Sequence, residues 1–516
     1  MLPSLQNPSA DICLILEGTY PYDRGSVATG VHRMISAMPN LKFALFFIGT
    51  ERRLAREKAF ELPDNVTELT EIFLFDDEFA ATELPKFAKR PPFRVFKPLL
   101  EKLRIVLNQP EDSDETINEL SAELVKTAPG CDFDWFWKNP GTCKLLTEFY
   151  ETRYSDESFQ DYLLNLKSLL QPVWRLFQAS PTLPPASCYH SFSTGYAGLI
   201  GAQACRFFGD SGFLISEHEI SIRKRIMELL HAEWADLSIN GISPLQTGVQ
   251  PLRQLWIDFF IQTARLAYES ADQIVSQFQK NADYQAEFGA DPRNISVIPA
   301  GVSLRKMEAV RRARAERLRI QPDRKTVGFL GRINSSKNVK MLLYAARITA
   351  DRLPGTRFLI AGSAEEDLEY YTECRSLRAE LKLESVVKFI GPAEAEDVLP
   401  RFDVLALSGS SDHLPFPILG AFGAQIPVVA TDIGACRELI EGRSDDDLGQ
   451  AGRVVPIAKP ELMADALVEI LSDPGLKNRC GTIGRARAEA CYTETAVIAE
   501  YRDLYDRLSG PIVAFP

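Results

Sequence analysis

LSGSSDHLPFPILGAFGAQIPVVATDIG, residues 407–434, is the stretch on which the fold is decided. The short apolar run Val404–Leu407 leads into it, a polar loop rich in Ser and Gly follows, a small-residue helical segment comes next, and Val428–Ala430 is apolar again. Apolar runs of strand length separated by helical segments are what parallel strands buried on both faces require. Outward from this stretch the alternation continues, with Thr326–Leu330, Arg357–Ala361, Val386–Ile390 and Val454–Val455 as further buried-strand runs. Together they predict a doubly wound parallel sheet over residues 326–492.

Residues 306–325, which take in most of the charged stretch Arg305–Arg324, are expected to be a linker, and 1–305 an amino-terminal domain. In that domain Asp11–Leu16, Lys42–Gly49, Phe213–Ser216, Gln273–Ser276 and Ile295–Pro299 read as strands, and residues 27–38 as a helix. A helical insertion spans about 93–185, where Phe159, Tyr162, Leu163, Leu166, Leu170, Trp174 and Phe177 recur at helical spacing. That stripe suits packing against the neighbouring domain or, alternatively, docking of a partner. Pro172 is expected to kink its helix or end it one turn early. In the terminal segment 493–516, Val497, Tyr501, Leu504, Tyr505 and Leu508 share one helical face. The fold class is therefore α/β, with two doubly wound sheets facing a cleft at the carboxyl ends of their strands.

Composition narrows the function classes. A net charge of −12 and a pI near 5.2 argue against a general nucleic-acid binder, although an acidic protein can still hold a local basic cleft for phosphates. The longest apolar runs, such as Phe43–Ile48, fall far short of the roughly 20 residues that span a bilayer. The start MLPSLQNPSADICLILEG has no basic region ahead of an apolar one, so a cytoplasmic location is expected. Nine cysteines stand singly, with no CxxC pair or zinc spacing, and are expected to be reduced and mostly buried.

Several segments could carry chemistry. Gly331 and Arg332 follow a strand directly, and Lys337 comes five residues later near a helix start. Glycine permits close backbone approach, and the two cations with a helix amino terminus can meet a diphosphate. A strand-end turn with solvated cations fits that spacing equally well. The loop EGTYPYDRGSVATGVHRM also enters a helix, so Gly25, Ser26 and nearby amides can face an anion or an acceptor, or simply connect strand to helix. His190, Ser193, Thr194, Gly195 and Tyr196 form a polar break ahead of an apolar helix that Thr194 can cap. Glu217, His218 and Glu219 end the strand Phe213–Ser216, where a cleft residue would project. No GxGxxG follows any strand, which disfavours a nucleotide-dependent oxidoreductase.

LILEGTYPYDRGS, STGYAGL, SEHE, AEW, GRINSSK, LPRFDVLALSGS and TDIGACRELI, taken together, resemble the PelF-like family 4 retaining glycosyltransferases of Pel exopolysaccharide synthesis over nearly the whole chain. The resemblance implies a GT-B fold and hexose transfer from a UDP-sugar, UDP-glucose first, to a polysaccharide acceptor, with no metal or other cofactor. It implies that Arg332 and Lys337 bind the donor diphosphate, that His218 contacts the donor sugar, and that Asp412 keeps a shortened carboxylate in the catalytic set. Gly25, Ser26, Gly331, Leu414, Pro415 and Gly420 are the donor-binding positions it implies. It further implies recruitment to the inner membrane by a membrane-embedded synthesis partner. The chain departs from the pattern at Ser26, Glu219 and Ala300, and at Asp412 and Gly420, where the family has a Glu, seven residues and a second Glu. Loss of the ribose-holding carboxylate at 420 removes a charge-assisted bond of roughly 1.5–3 kcal/mol. A catalytically silent subunit that binds partners through the insertion is the alternative expectation.

Overall fold

Residues 8–52, 57–76, 95–108, 114–208, 211–231, 251–321, 325–410, 415–443 and 446–509 are described by the computed structural model of the chain. They divide into two compact units: Met1–Ser276 with Ala282–Ser296 and Arg502–Pro516, and Gln277–Asn281 with Val297–Tyr501.

The first unit carries a seven-stranded sheet of β1 (Ala10–Glu17), β2 (Phe43–Gly49), β3 (Val66–Phe73), β4 (Ala186–Ser191), β5 (Gly212–Glu217), β6 (Gln273–Ser276) and β7 (Ile295–Val297). Its order is β3-β2-β1-β4-β5-β6-β7, with β1 parallel to both β2 and β4. β1 and β2 are largely apolar because helices cover both faces, and every residue of β2 is buried. β3 and β4 are two strands that apolar patterning does not reveal. β3 is a half-exposed edge with Thr and Glu in it, and β4, ASCYHS, is a central strand built partly of polar residues. The burial of His190 in β4 is permitted because its ring nitrogens lie 2.7 Å from Tyr505 Oη and 2.8 Å from Ser216 Oγ.

Between β3 and β4 stand the helices Lys97–Asn108, Asp114–Thr127, Phe133–Trp137, Pro140–Arg153 and Phe159–Ala179. Apart from the exposed Phe159, the aromatic stripe of the last is core, and it packs within the first unit rather than against the neighbouring domain. Trp174 and Phe177 join the sheet's apolar cluster, while Tyr162, Leu166 and Leu169 pack with Leu146, Phe149 and Leu255. The expected stop at Pro172 does not occur, for the helix runs on to Ala179. Burial of Val173, Trp174, Leu176 and Phe177, each worth roughly 1.5–3 kcal/mol, outweighs one lost backbone hydrogen bond. Trp174 Nε1 and Gln178 Nε2 also donate to the Cys131 carbonyl, tying the turns beyond the proline.

The second unit carries β8 (Lys325–Leu330), β9 (Thr356–Ala361), β10 (Val387–Gly391), β11 (Val404–Leu407), β12 (Val428–Thr431) and β13 (Gly452–Val455), ordered β10-β9-β8-β11-β12-β13 and parallel. The segment expected as a linker is instead largely a helix, Leu304–Ile320, that belongs to this unit and buries Met307, Val310 and Arg314. Its sparse apolar stripe is hidden among charges that are themselves partnered. Arg314 Nε donates to the Phe402 carbonyl at 3.0 Å, and Arg317 clasps the buried Asp403 carboxylate at 2.8 and 3.2 Å.

The final helix, Glu494–Leu508, is divided between the units at Tyr501 and Arg502. In the first unit, Tyr505 is fully buried against His190 and Met34 Sδ, and Arg502 reaches the Ala37 carbonyl. Six of the nine cysteines are buried, and all are free thiols. No described helix is long and apolar enough to cross a membrane.

Candidate functional site

Open parallel sheets bind ligands at the carboxyl ends of the two strands where the chain order reverses. In the second sheet that point lies between β8 and β11, which places GRINSSK beside LSGS, residues 407–410. The two loops are strapped together. Ser410 N donates to the Ser336 carbonyl at 2.9 Å, Ser408 Oγ to the Lys337 carbonyl at 3.0 Å, and Thr431 Oγ1 to the Gly409 carbonyl at 2.7 Å. Asn334 accepts from Lys337 N at 3.2 Å, and Asn338, at φ 45°, caps the helix Val339–Arg352 through Met341 N at 3.3 Å. Lys337 is thus half-buried on a loop with little freedom, at the mouth of a helix whose dipole favours negative charge.

Gly331 and Arg332 form the other end of this loop. Gly331 N donates to the Ala361 carbonyl at 3.0 Å and Ile333 N to the Ser363 carbonyl at 2.8 Å, which continues the β8/β9 pairing into the turn. Arg332 is exposed and pairs with Glu366 at 2.5 Å. Neighbouring Asp367 accepts from Ser335 N at 3.4 Å and caps the helix Leu368–Glu380 through Tyr370 N at 3.1 Å. The acidic loop after β9 therefore lies on the cationic one, a pairing between distant segments with no sequence signal.

Asp412 and Leu414 lie outside the described residues. Pro415 precedes the helix Phe416–Gly423 as its cap residue, and Gly420 is buried within that helix. A β-carbon at Gly420 would meet Leu399 Cδ1 at 3.3 Å and Met307 Sδ at 4.0 Å, so this position faces apolar side chains. Gly420→Glu is accordingly expected to cost about 2 kcal/mol through overpacking and burial of polar atoms, read as a lowered urea midpoint, and to add no UDP affinity. Unchanged stability with tighter UDP binding would show that the position opens toward ligand instead.

In the first unit the reversal falls between β1 and β4. Glu17 ends β1, and its Oε2 accepts from Ser193 Oγ at 3.2 Å and Ala197 N at 3.4 Å, at the start of the helix Tyr196–Phe208. Thr194, the expected cap, donates instead to Glu217 Oε1 at 3.3 Å. Glu217 ends β5 fully buried and also accepts from Ser221 N at 3.0 Å, Tyr268 Oη at 2.5 Å and Gln285 Nε2 at 3.1 Å. Burial, with the Glu217 charge second, pushes the Tyr268 phenol well up. His218 follows at the strand end, its ring 6.4 Å from that of Phe192, and Glu219 pairs with Lys224 at 3.1 Å. Gly25 caps the helix Ser26–Ala37 without a side-chain bond, and a β-carbon there would meet Asp23 Oδ2 at 2.6 Å. The Ser26 side chain lies outside the described residues. Sequence reasoning did not single out Glu17 or Glu366; the first is marked only by closing a strand just before Gly18, which turns at φ 63°. Among the described residues no group of three or more His, Cys, Asp or Glu is placed to hold a metal ion.

Comparison with known proteins places these halves. The family described as "Domain of unknown function (DUF3492)" matches residues 10–293, and "Glycosyl transferases group 1" matches residues 324–473. D-inositol 3-phosphate glycosyltransferases are similar: that of Corynebacterium urealyticum is 29% identical over 214 residues, 39% of this chain and 48% of that protein. The one from Streptomyces bingchenggensis is 26% identical over 231 residues, 43% and 50% respectively. The chain spans about half the length of these curated relatives. Sucrose-phosphate synthase from Thermosynechococcus elongatus superposes with TM-score 0.56 at 16% identity, covering 96% of this chain and 98% of that one. Anabaena HepE in complex with UDP gives 0.56 at 13%, covering 96% and 100%. At those identities the superpositions establish a shared fold alone, the two-sheet GT-B type. The chain belongs to the DUF3492 family, whose matched region is here followed by a carboxyl-terminal region that matches the group 1 glycosyltransferase model.

Proposed function

We propose that this protein is a retaining glycosyltransferase that moves a hexose from a UDP-sugar, UDP-glucose first, to a hydroxyl of a growing exopolysaccharide or related acceptor. The observation that carries the proposal is the loop 331–337, with Arg332 and Lys337 at its ends, strapped to residues 408–410 at the reversal point of a group 1 sheet. Anabaena HepE, which shares the fold, has been solved with UDP and with UDP-glucose. In this reading the bond from sugar C1 to the β-phosphate oxygen breaks, and UDP leaves with the electron pair. Arg332, Lys337 and the amino end of the helix Val339–Arg352 take up the developing charge, a task assigned here to the protein's own cations rather than to a metal ion. The acceptor oxygen forms the new bond to C1 on the same face, and its proton goes to the departing diphosphate. Glu366 must release Arg332 for this to happen. We extend the proposal to work at the cytosolic face of the inner membrane beside a membrane-embedded synthesis partner, on the motif resemblance alone.

A second reading, a PelF-like subunit without activity, is favoured by Gly420, which offers no carboxylate and faces Leu399 and Met307. Thermal unfolding with UDP separates the two. The transferase reading expects UDP at 100 times its Kd to stabilise the protein by about 2.7 kcal/mol, Lys337→Ala to erase that stabilisation, and UDP-hexose turnover to be measurable. No melting shift at millimolar UDP would remove the transferase reading.

A further inference from the structure

The reversal point of the first sheet holds a carboxylate that the donor chemistry leaves unused. Glu17 stands at the carboxyl end of β1, beside the β4 loop, where an open sheet binds ligand. Two contacts hold one of its oxygens: Oε2 accepts from Ser193 Oγ at 3.2 Å and from Ala197 N at 3.4 Å. Gly195 makes room for this, since a β-carbon there would lie 2.7 Å from Oε2. The other oxygen, Oε1, has as its charged neighbour Arg225 Nη2 at 4.0 Å, beyond hydrogen-bond distance, and the side chain is 24% exposed. Among the described residues, Glu17 is thus a carboxylate oriented by one oxygen with the second left to accept from a hydroxyl.

Its placement also decides what cannot bind. The amino terminus of the 13-residue helix Tyr196–Phe208 is the natural seat for an anion in this half, and Glu17 already fills it. A phosphate or carboxylate arriving there would meet a fixed negative charge, whereas a sugar hydroxyl would meet an acceptor. Resting on the transferase reading above, we propose that Glu17 is the acceptor-binding residue, that Oε1 receives a hydroxyl of the acceptor sugar, and that the acceptor is a neutral glycan rather than an anionic one.

The test measures UDP release from UDP-glucose by the full chain, with glucose and maltose as neutral probes and with glucose 6-phosphate and glucuronic acid as anionic ones. The expected result is that neutral sugars accelerate release and anionic ones do not. In Glu17→Gln, the KM for the neutral sugar should rise about tenfold, and the preference for neutral over anionic probes should collapse, because the repulsive charge is gone while its shape remains. Ser193→Ala, which removes one support of Oε2, should raise the same KM by a smaller factor. UDP affinity, read by calorimetry, should be unchanged in both variants, which also certifies that they fold. Equal acceleration by anionic sugars in the wild type, release indifferent to every sugar, or an unchanged preference in Glu17→Gln would each overturn the proposal. If the wild type does not bind UDP at all, it is the transferase reading that fails.

Discussion

Gly362→Ala will destabilise the second unit by about 4 kcal/mol and, on the proposed function, abolish its response to UDP. A β-carbon at this position would lie 1.8 Å from the Gly331 carbonyl oxygen and 2.7 Å from its carbon. Backbone is what stands in the way, so no rotamer change relieves the overlap. The strand ends are also locked where they meet, since Gly362 N donates to the Gly391 carbonyl at 2.8 Å and Gly331 N to the Ala361 carbonyl at 3.0 Å. Overpacking of a yielding core costs about 1–3 kcal/mol, and an unyielding backbone raises that. The only escape is for the Gly331–Arg332 turn to move, which takes the Arg332 guanidinium out of place for a diphosphate. Urea unfolding followed with and without UDP gives both readouts. Gly30→Ala serves as the control: its β-carbon would meet nothing within 4 Å inside the helix Ser26–Ala37, so the change should be neutral or stabilise by about 0.5–1 kcal/mol. If Gly362→Ala unfolds with the wild type, the close approach of these strand ends is wrong.

The first unit will lose stability as pH falls below 6.5, through His190. Burial, then the nearby charge of His218, lowers this imidazole from 6.5 to about 3. The unfolded chain takes up a proton near 6.5 while the folded chain does not until about 3, so between those values the unfolded state binds more protons and stability decreases with decreasing pH. At pH 4.5 the loss from this residue is about 2.7 kcal/mol, and across the whole window about 5 kcal/mol. Above pH 6.5 the contribution is complete. Tyr505 Oη, Ser216 Oγ and the Phe192 ring face the imidazole, and none of these three is an anion. Carboxylates held low by arginines, such as Asp446 beside Arg487, add to acid sensitivity, so the comparison with His190→Gln isolates the imidazole. That variant should be less stable at pH 7, having lost bonds to the terminal helix, yet show a flatter profile from pH 6.5 to 4.5. Parallel profiles for the two proteins would contradict a neutral buried His190.

How much was legible follows the chemistry of burial. Runs such as Gln273–Ser276 and Val404–Leu407 coincide with their strands because parallel strands covered on both faces are predominantly apolar at their centres. β4 escaped because its polar atoms are satisfied by partners 26 and 315 residues away, Ser216 and Tyr505. The helix Leu304–Ile320 passed for a linker because its buried positions are few and two of its arginines serve the Phe402 carbonyl and Asp403. At the site, the placement of Arg332 and Lys337 in one strand-end loop could be read from spacing, since a turn between strand and helix is a local event.

The chain by itself determined two α/β sheets, a helical insertion in the first unit and a cationic loop, because periodicity and strand-end position are properties of neighbouring residues. Only the tertiary structure decided that Glu366 lies on Arg332, that Glu17 rather than Thr194 meets the helix Tyr196–Phe208, and that Gly420 faces Leu399 and Met307. Each of those is a contact between segments brought together by sheet order, and a carboxylate's partner depends on which strand ends become neighbours, which no local spacing encodes.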